Sequence, residues 1–175
     1  MNIEEVIDRE QIRDCLARLS RGLDRRDGDL VRGSFWPEAS DDEGVAIVTV
    51  DQLVAWISPG DPAMRLTMHT MGHSLIDVRG TAAVVETHVT SYHRVEAGGG
   101  DRDIVLGGRY LDQFEKRGAE WRIMKRKLIY DWLNDLGPST DFSKGAFGLP
   151  LSSEGAIGSA SGDYSDKLFK VFSLV

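Results

Sequence analysis

The chain has 175 residues, with 28 acidic and 21 basic side chains for a formal charge of -7, and is 41% hydrophobic and 28% charged. That is the length of one domain with a sizeable core and the composition of a globular chain, and its net sign is wrong for wrapping a phosphate backbone. No stretch reaches membrane-spanning length, Met1–Glu5 lacks the basic and apolar parts of a secretory leader, and Cys15, the only cysteine, excludes an intrachain disulfide. The expectation is a cytoplasmic protein with neither nucleic acid nor membrane as partner.

Asn2 and Glu5 have capping-box spacing, and Ile12, Cys15, Leu16, Leu19 and Leu23 repeat at helical intervals, predicting a first helix with one buried face. Gly22 weakens its end and places Asp24 at or just beyond the last turn, either held by packing or paired with Arg25 or Arg26. Asp27 can start a second short helix carrying Leu30, Val31 and Phe35, with Trp36-Pro37 as its exit and Asp41–Gly44 as a charged loop. Thr49 and Gln52 repeat the capping-box spacing, which predicts a third helix over about Val50–Ile57.

From Leu66 the period changes to that of strands. Leu66–Val78, Ala82–Val95, Ile104–Phe114 and Trp121–Leu133, joined by short Gly-containing turns, read as consecutive antiparallel strands. Helices packed on one face of a curved sheet would bury both apolar sets and leave a concavity. The fold class is therefore α+β, with one domain over residues 1–136. Residues 137–175 read as an irregular Gly/Ser-rich extension ending in an apolar anchor, Leu168, Phe169, Val171, Phe172, Leu174 and Val175, which packs over the pocket or on a neighbouring subunit as part of a homodimer or homotrimer.

All four histidines fall on the first two of these strands. By parity His69 and His73 share a face, whereas His88 and His93 lie on opposite faces unless a bulge intervenes. The His69-x-x-x-His73 spacing lacks the helical setting of a two-histidine metal motif, so no metal is expected. An aspartate accepting from one imidazole nitrogen would fix the tautomer and leave the other nitrogen as a proton acceptor, and Asp24 is the candidate. Trp36, Trp56, Tyr130 and Trp132 would line an aromatic pocket or serve as core, and Tyr130 and Trp132 share parity on the last strand. His73, His88, Tyr92 and His93 form a further pocket group, and Arg65, Arg94 and Arg109 could read a substrate oxygen. Gly107-Gly108 lacks the strand-to-helix setting of a dinucleotide loop, so no cofactor is expected.

The run Leu23-Asp24-Arg25-Arg26-Asp27, the segment Met68-His69-Thr70-Met71-Gly72 and the final strand with Trp121-Arg122-Ile123 and Asp131-Trp132 resemble the SnoaL-like branch of the NTF2-like superfamily over about residues 3–135. The resemblance implies a cone of N-terminal helices against a curved, mainly antiparallel sheet. It also implies that Asp24 orients His69, which takes a proton from the substrate. His73 stands where many relatives carry an asparagine. The activity implied is a cofactor-independent lyase that eliminates water or a small fragment such as formaldehyde from an aromatic or polycyclic hydroxylated compound. The superfamily also contains isomerases, cyclases and non-catalytic binding proteins.

Overall fold

The computed structural model describes residues 2–151 and 156–172; Met1, Leu174, Val175 and the side chains of Val171 and Phe172 lie outside the described residues. Helix α1 spans Ile3–Arg25, its first turn capped by Asn2, whose Oδ1 accepts from the Glu5 N–H at 2.9 Å. Ile12, Cys15, Leu16 and Leu19 form its buried stripe. Cys15 is core material: burial pushes its thiol pKa up to about 12. Gly22 does not weaken the helix as expected. A Cβ there would come within 2.9 Å of the Val31 side chain, so glycine is needed where helix α2 (Gly28–Ser34) crosses α1. The helix therefore continues to Arg25, and Arg26 reverses the chain in the left-handed region at φ 54°. Asp24 is thus held in a rigid last turn, buried.

The Asp27 carboxylate caps α2 by accepting from the N–H groups of Asp29 and Leu30, each at 3.1 Å. Helix α2 ends at Ser34, just before Trp36-Pro37, the exit that the sequence suggests. The chain enters strand β1 (Phe35–Asp42) directly, and Pro37 is tolerated in the irregular stretch between Phe35 and Ser40 where the register shifts. Phe35, Ala39 and Asp41 are its buried positions. Asp41, expected in a charged loop, sits between Val48 and Arg126 on the neighbouring strands and is 3% exposed. Strand β2 (Ile47–Thr49) leads into α3 (Val50–Ala55), whose Thr49/Gln52 capping box forms as the spacing predicts. Pro59 lies in the irregular turn Trp56–Gly60 that ends the helix short of Ile57.

Four long strands follow: β3 (Met64–Arg79), β4 (Ala82–Glu96), β5 (Asp101–Arg117) and β6 (Glu120–Pro138). The sheet order is β2-β1-β6-β5-β4-β3, antiparallel except where β1 runs parallel to β6. The helices pack against this mixed sheet, joined by one core running from Ile12 and Leu19 to Val85, Phe114 and Ile123. Polar ties fix α1 on β3: Arg9 donates to the Ile76 carbonyl at 2.6 Å and Ser20 to the His69 carbonyl at 2.7 Å.

The segment after residue 136 is less irregular than expected. Strand β6 runs to Pro138, and Tyr164–Phe172 forms helix α4. This helix folds back on α1, where Arg21 pairs with Asp166 at 2.9 Å and lies 4.4 Å from the Phe169 ring centre, while Arg25 pairs with Asp163 at 3.3 Å.

Candidate active site

Asp24 and His69 meet where the last turn of α1 lies over β3. The Asp24 carboxylate accepts from the His69 backbone N–H at 2.9 and 3.1 Å, from the Thr67 hydroxyl at 3.2 Å, and from His69 Nδ1 at 2.6 Å. An ionised carboxylate can only accept, so Nδ1 carries the proton and Nε2 keeps its lone pair. Both side chains are 11% exposed, and His69 lines a cavity of about 670 Å³. Leu23, Leu53, Trp56, Ile57 and Met64 supply much of its apolar lining. Its polar lining includes Arg26, Glu43, Tyr110 and Tyr130, and Ala160 contributes from the C-terminal segment.

His93 is the second imidazole on this wall. Its ring meets that of His69 edge to face, with centroids 5.7 Å apart. Nε2 is 3.0 Å from the Ser91 hydroxyl, and the buried Nδ1 has no hydrogen-bond partner among the described residues. Burial, reinforced by the neighbouring His69, pushes the His93 pKa down to about 4, so this ring is neutral at pH 7.

Besides His69, Trp56, Tyr130 and His93 line the cavity among the aromatic and histidine positions read from the sequence; the others do not. Trp36 lies elsewhere, donating from its indole to the Glu115 carbonyl at 3.1 Å and packed against the guanidinium groups of Arg117 and Arg122. His73 leaves the His69 face because the β3–β4 register slips between Met71 and Ser74; Ser74, not His73, then faces Thr87 at 2.9 Å. His88 and Tyr92 lie on the opposite side of β4 from His93, since the β4–β5 register is unbroken. His88 is exposed, and Tyr92 donates to Asp103 at 2.7 Å. A second slip, with Asp131 as the extra residue, separates Tyr130 from Trp132: Tyr130 faces Gly108, while the Trp132 ring lies so close over Gly107 that a Cβ there would come within 2.2 Å of it.

Arg65, Arg94 and Arg109 are engaged away from the cavity with Glu96, Asp103 and Asp131. The guanidinium on the cavity wall is Arg26, which donates to the Pro59 carbonyl at 2.7 Å and to the Met64 carbonyl. Sequence reasoning missed Arg26, Glu43 and Tyr110. Tyr110 was readable, since it shares strand parity with Gly108, Asp112 and Phe114 on a buried face. A larger cleft of about 830 Å³ lies along α1 and α2, but Arg18, Arg21 and Arg32 on its walls are already paired with Asp14, Asp166 and Asp51.

Helices against one open, curved mixed sheet, with an Asp–His pair in the cavity between them, define an α+β protein of the NTF2-like class. The chain belongs to the SnoaL-like domain family, whose model matches residues 4–127. No curated protein matches it. Among solved structures, the type 2 hexachlorocyclohexane dehydrochlorinase LinA is similar at TM-score 0.71 and 16% identity, with 89% of this chain and 99% of that one covered. A protein of Novosphingobium aromaticivorans assigned as a scytalone dehydratase is similar at TM-score 0.67 and 20% identity, covering 87% and 99%. The Kfla4162 protein of Kribbella flavida is similar at 0.67 and 18%, covering 74% and 95%. At these identities the likeness is one of fold. Among the described residues no helix is long and apolar enough to cross a membrane.

Proposed function

We propose that the chain is a cofactor-independent lyase acting on an aromatic or polycyclic hydroxylated small molecule. The observation that carries this reading is the 2.6 Å contact between Asp24 and His69 Nδ1 at the wall of a largely apolar cavity. Asp24 holds the ring in the tautomer whose Nε2 accepts a proton, and it stabilises the imidazolium that forms. For loss of water, removal of a carbon-bound proton by Nε2 leaves an electron pair that expels hydroxide from the next carbon; for loss of formaldehyde, Nε2 takes the proton of the departing hydroxymethyl group, the carbonyl forms as the carbon–carbon bond breaks, and the electron pair passes into the conjugated remainder as an enolate or phenolate. That two structural neighbours are named as a dehydratase and a dehydrochlorinase supports elimination over other proton-transfer chemistry.

The test is incubation of the full chain with a panel of hydroxylated aryl compounds, followed by mass spectrometry. Products lighter by water or formaldehyde support the reading. A product of unchanged mass would mean an isomerase or cyclase, and binding without product a carrier.

A homo-oligomer and a cytoplasmic location belong to the same proposal. The exposed apolar side chains Met68, Leu75 and Val84 on β3 and β4 support association, and light scattering that found only monomer would reject it.

A further inference from the structure

We propose that Arg26 is an anion subsite of the cavity, which binds the carboxylate of an elongated, hydroxylated aryl acid whose other end reaches His69. The inference rests on the lyase reading for the reacting end alone; the binding of an acid by Arg26 stands by itself.

Among the described residues every arginine but Arg26 is in an ion pair with an aspartate or glutamate. Arg26 is half-buried and lines both the cavity and the cleft along α1 and α2, so it stands between them. It also occupies the left-handed turn after α1, at φ 54° and ψ 36°, a conformation that favours glycine. Strained backbone under a guanidinium without a counter-charge points to a role for the side chain beyond the turn itself.

The guanidinium is held at two points. One terminal nitrogen donates to the Pro59 carbonyl at 2.7 Å and the other to the Met64 carbonyl. Of its N–H donors this leaves Nε–H and one hydrogen on each terminal nitrogen, which suits the paired contacts that a carboxylate makes. Gly60 keeps the Nε side uncovered: a Cβ there would lie 3.3 Å from Nε and Cζ. The carboxylates nearby do not supply the missing charge. Asp27 caps α2, Asp61 accepts from the Ala63 N–H at 2.8 Å, and neither these nor Glu43, also on the cavity wall, forms an ion pair with Arg26.

A guanidinium without a counter-charge in a partly apolar wall favours a guest that brings one. Met64 and His69 lie roughly 16 Å apart along β3, so an acid group at Arg26 and a reacting carbon at His69 belong to one long molecule rather than to a single ring. The cavity thus takes aryl acids in preference to their neutral analogues.

The test uses the full chain and two probes of similar size, 2-naphthoate and the neutral 2-acetylnaphthalene, with Kd measured by calorimetry at about pH 7, where the acid is ionised. The parent should bind naphthoate roughly tenfold more tightly than the ketone, and added salt should weaken only the naphthoate. Arg26→Gly suits the left-handed backbone, so it should fold and bind the ketone as the parent does while losing about tenfold for naphthoate. Arg26→Lys, which keeps the charge without the fork, should fall between the two. Equal affinity for the two probes in the parent, or an Arg26→Gly that holds naphthoate as the parent does, overturns the subsite. So does an Arg26→Gly that weakens both probes alike, which would make Arg26 a structural tie. Binding is read without turnover: acid binding with no product from any compound would reject the lyase and keep the subsite, whereas product from neutral compounds with no preference for acids would do the reverse.

Discussion

His69 is oriented twice by the same carboxylate: Asp24 accepts from its backbone N–H at 2.9 Å and from its ring Nδ1 at 2.6 Å. Ser20, four residues earlier on α1, holds the His69 carbonyl at 2.7 Å. One helical turn therefore fixes both the strand and the imidazole it carries, which leaves the ring little freedom to change tautomer or rotamer.

Asp24→Asn should keep the shape of the contact but offer an amide where a carboxylate was. The chemical step should slow by roughly 100-fold or more, because the imidazolium loses its counter-charge and the tautomer is no longer imposed. Nitrogen NMR of the His69 ring should show Nδ1 protonated in the parent and a mixed population in the variant; an unchanged tautomer together with an unchanged rate would reject the orienting role.

The two buried titratable groups bend the pH–stability curve in opposite directions. His93, depressed to about 4 from an unfolded value near 6.5, favours the folded state above the unfolded value, and that contribution is lost as pH falls towards 4. Asp41, raised to about 8, contributes fully below its unfolded value of about 3.8, and that contribution is lost as pH rises through 8. Between about pH 4 and 6.5 the two slopes oppose each other and cancel, so thermal melts should be level there and should fall by about 2 kcal/mol between about pH 6.5 and 8, where Asp41 alone titrates. His93→Gln should extend the fall down to about pH 4, and Asp41→Asn should abolish it and leave a rise from about pH 4 to 6.5. Variants with the parent's profile would show that these groups do not titrate as described.

The Arg126–Asp112 pair is fully enclosed, its side chains 1% and 0% exposed. Asp112→Ala should destabilise by about 3–5 kcal/mol, since it strands a buried guanidinium under Tyr110. Chemical denaturation would measure this, and a loss under about 1 kcal/mol would mean that water reaches the arginine.

At Gly108 a Cβ would come within 2.0 Å of the Ile129 carbonyl oxygen, whereas at Gly107 it would meet only the half-exposed Trp132 ring. Backbone cannot step aside as a side chain can. Gly108→Ala should thus cost several kcal/mol and disturb the β5–β6 register that aims Tyr130 into the cavity, while Gly107→Ala should cost much less. Comparable losses in denaturation midpoint would contradict this account of the bulge.

The fold was legible because its signals are local. The Asn2 and Thr49 caps, the α1 stripe and the long alternating strands each declare themselves within a few residues. Asp24 and His69 were legible through resemblance, since 45 residues separate them and no local pattern links them. Two of the misplaced residues, His73 and Trp132, share one cause. Strand parity assumes an unbroken ladder, and single-residue slips after Met71 and at Asp131 turned His73 and Trp132 away from the faces assigned to them. Asp41 was hidden for another reason: a strand containing a proline and four acidic or hydroxyl side chains reads as a loop until Arg126 and Val48 are seen on either side.

The most direct test of the central claim is single-turnover chemistry of His69→Ala beside the parent, with ligand affinity and circular dichroism measured on the same samples. The account predicts a folded variant that binds the compound as the parent does and forms product roughly 100-fold or more slowly. A folded His69→Ala that forms product at the parent's rate would contradict it.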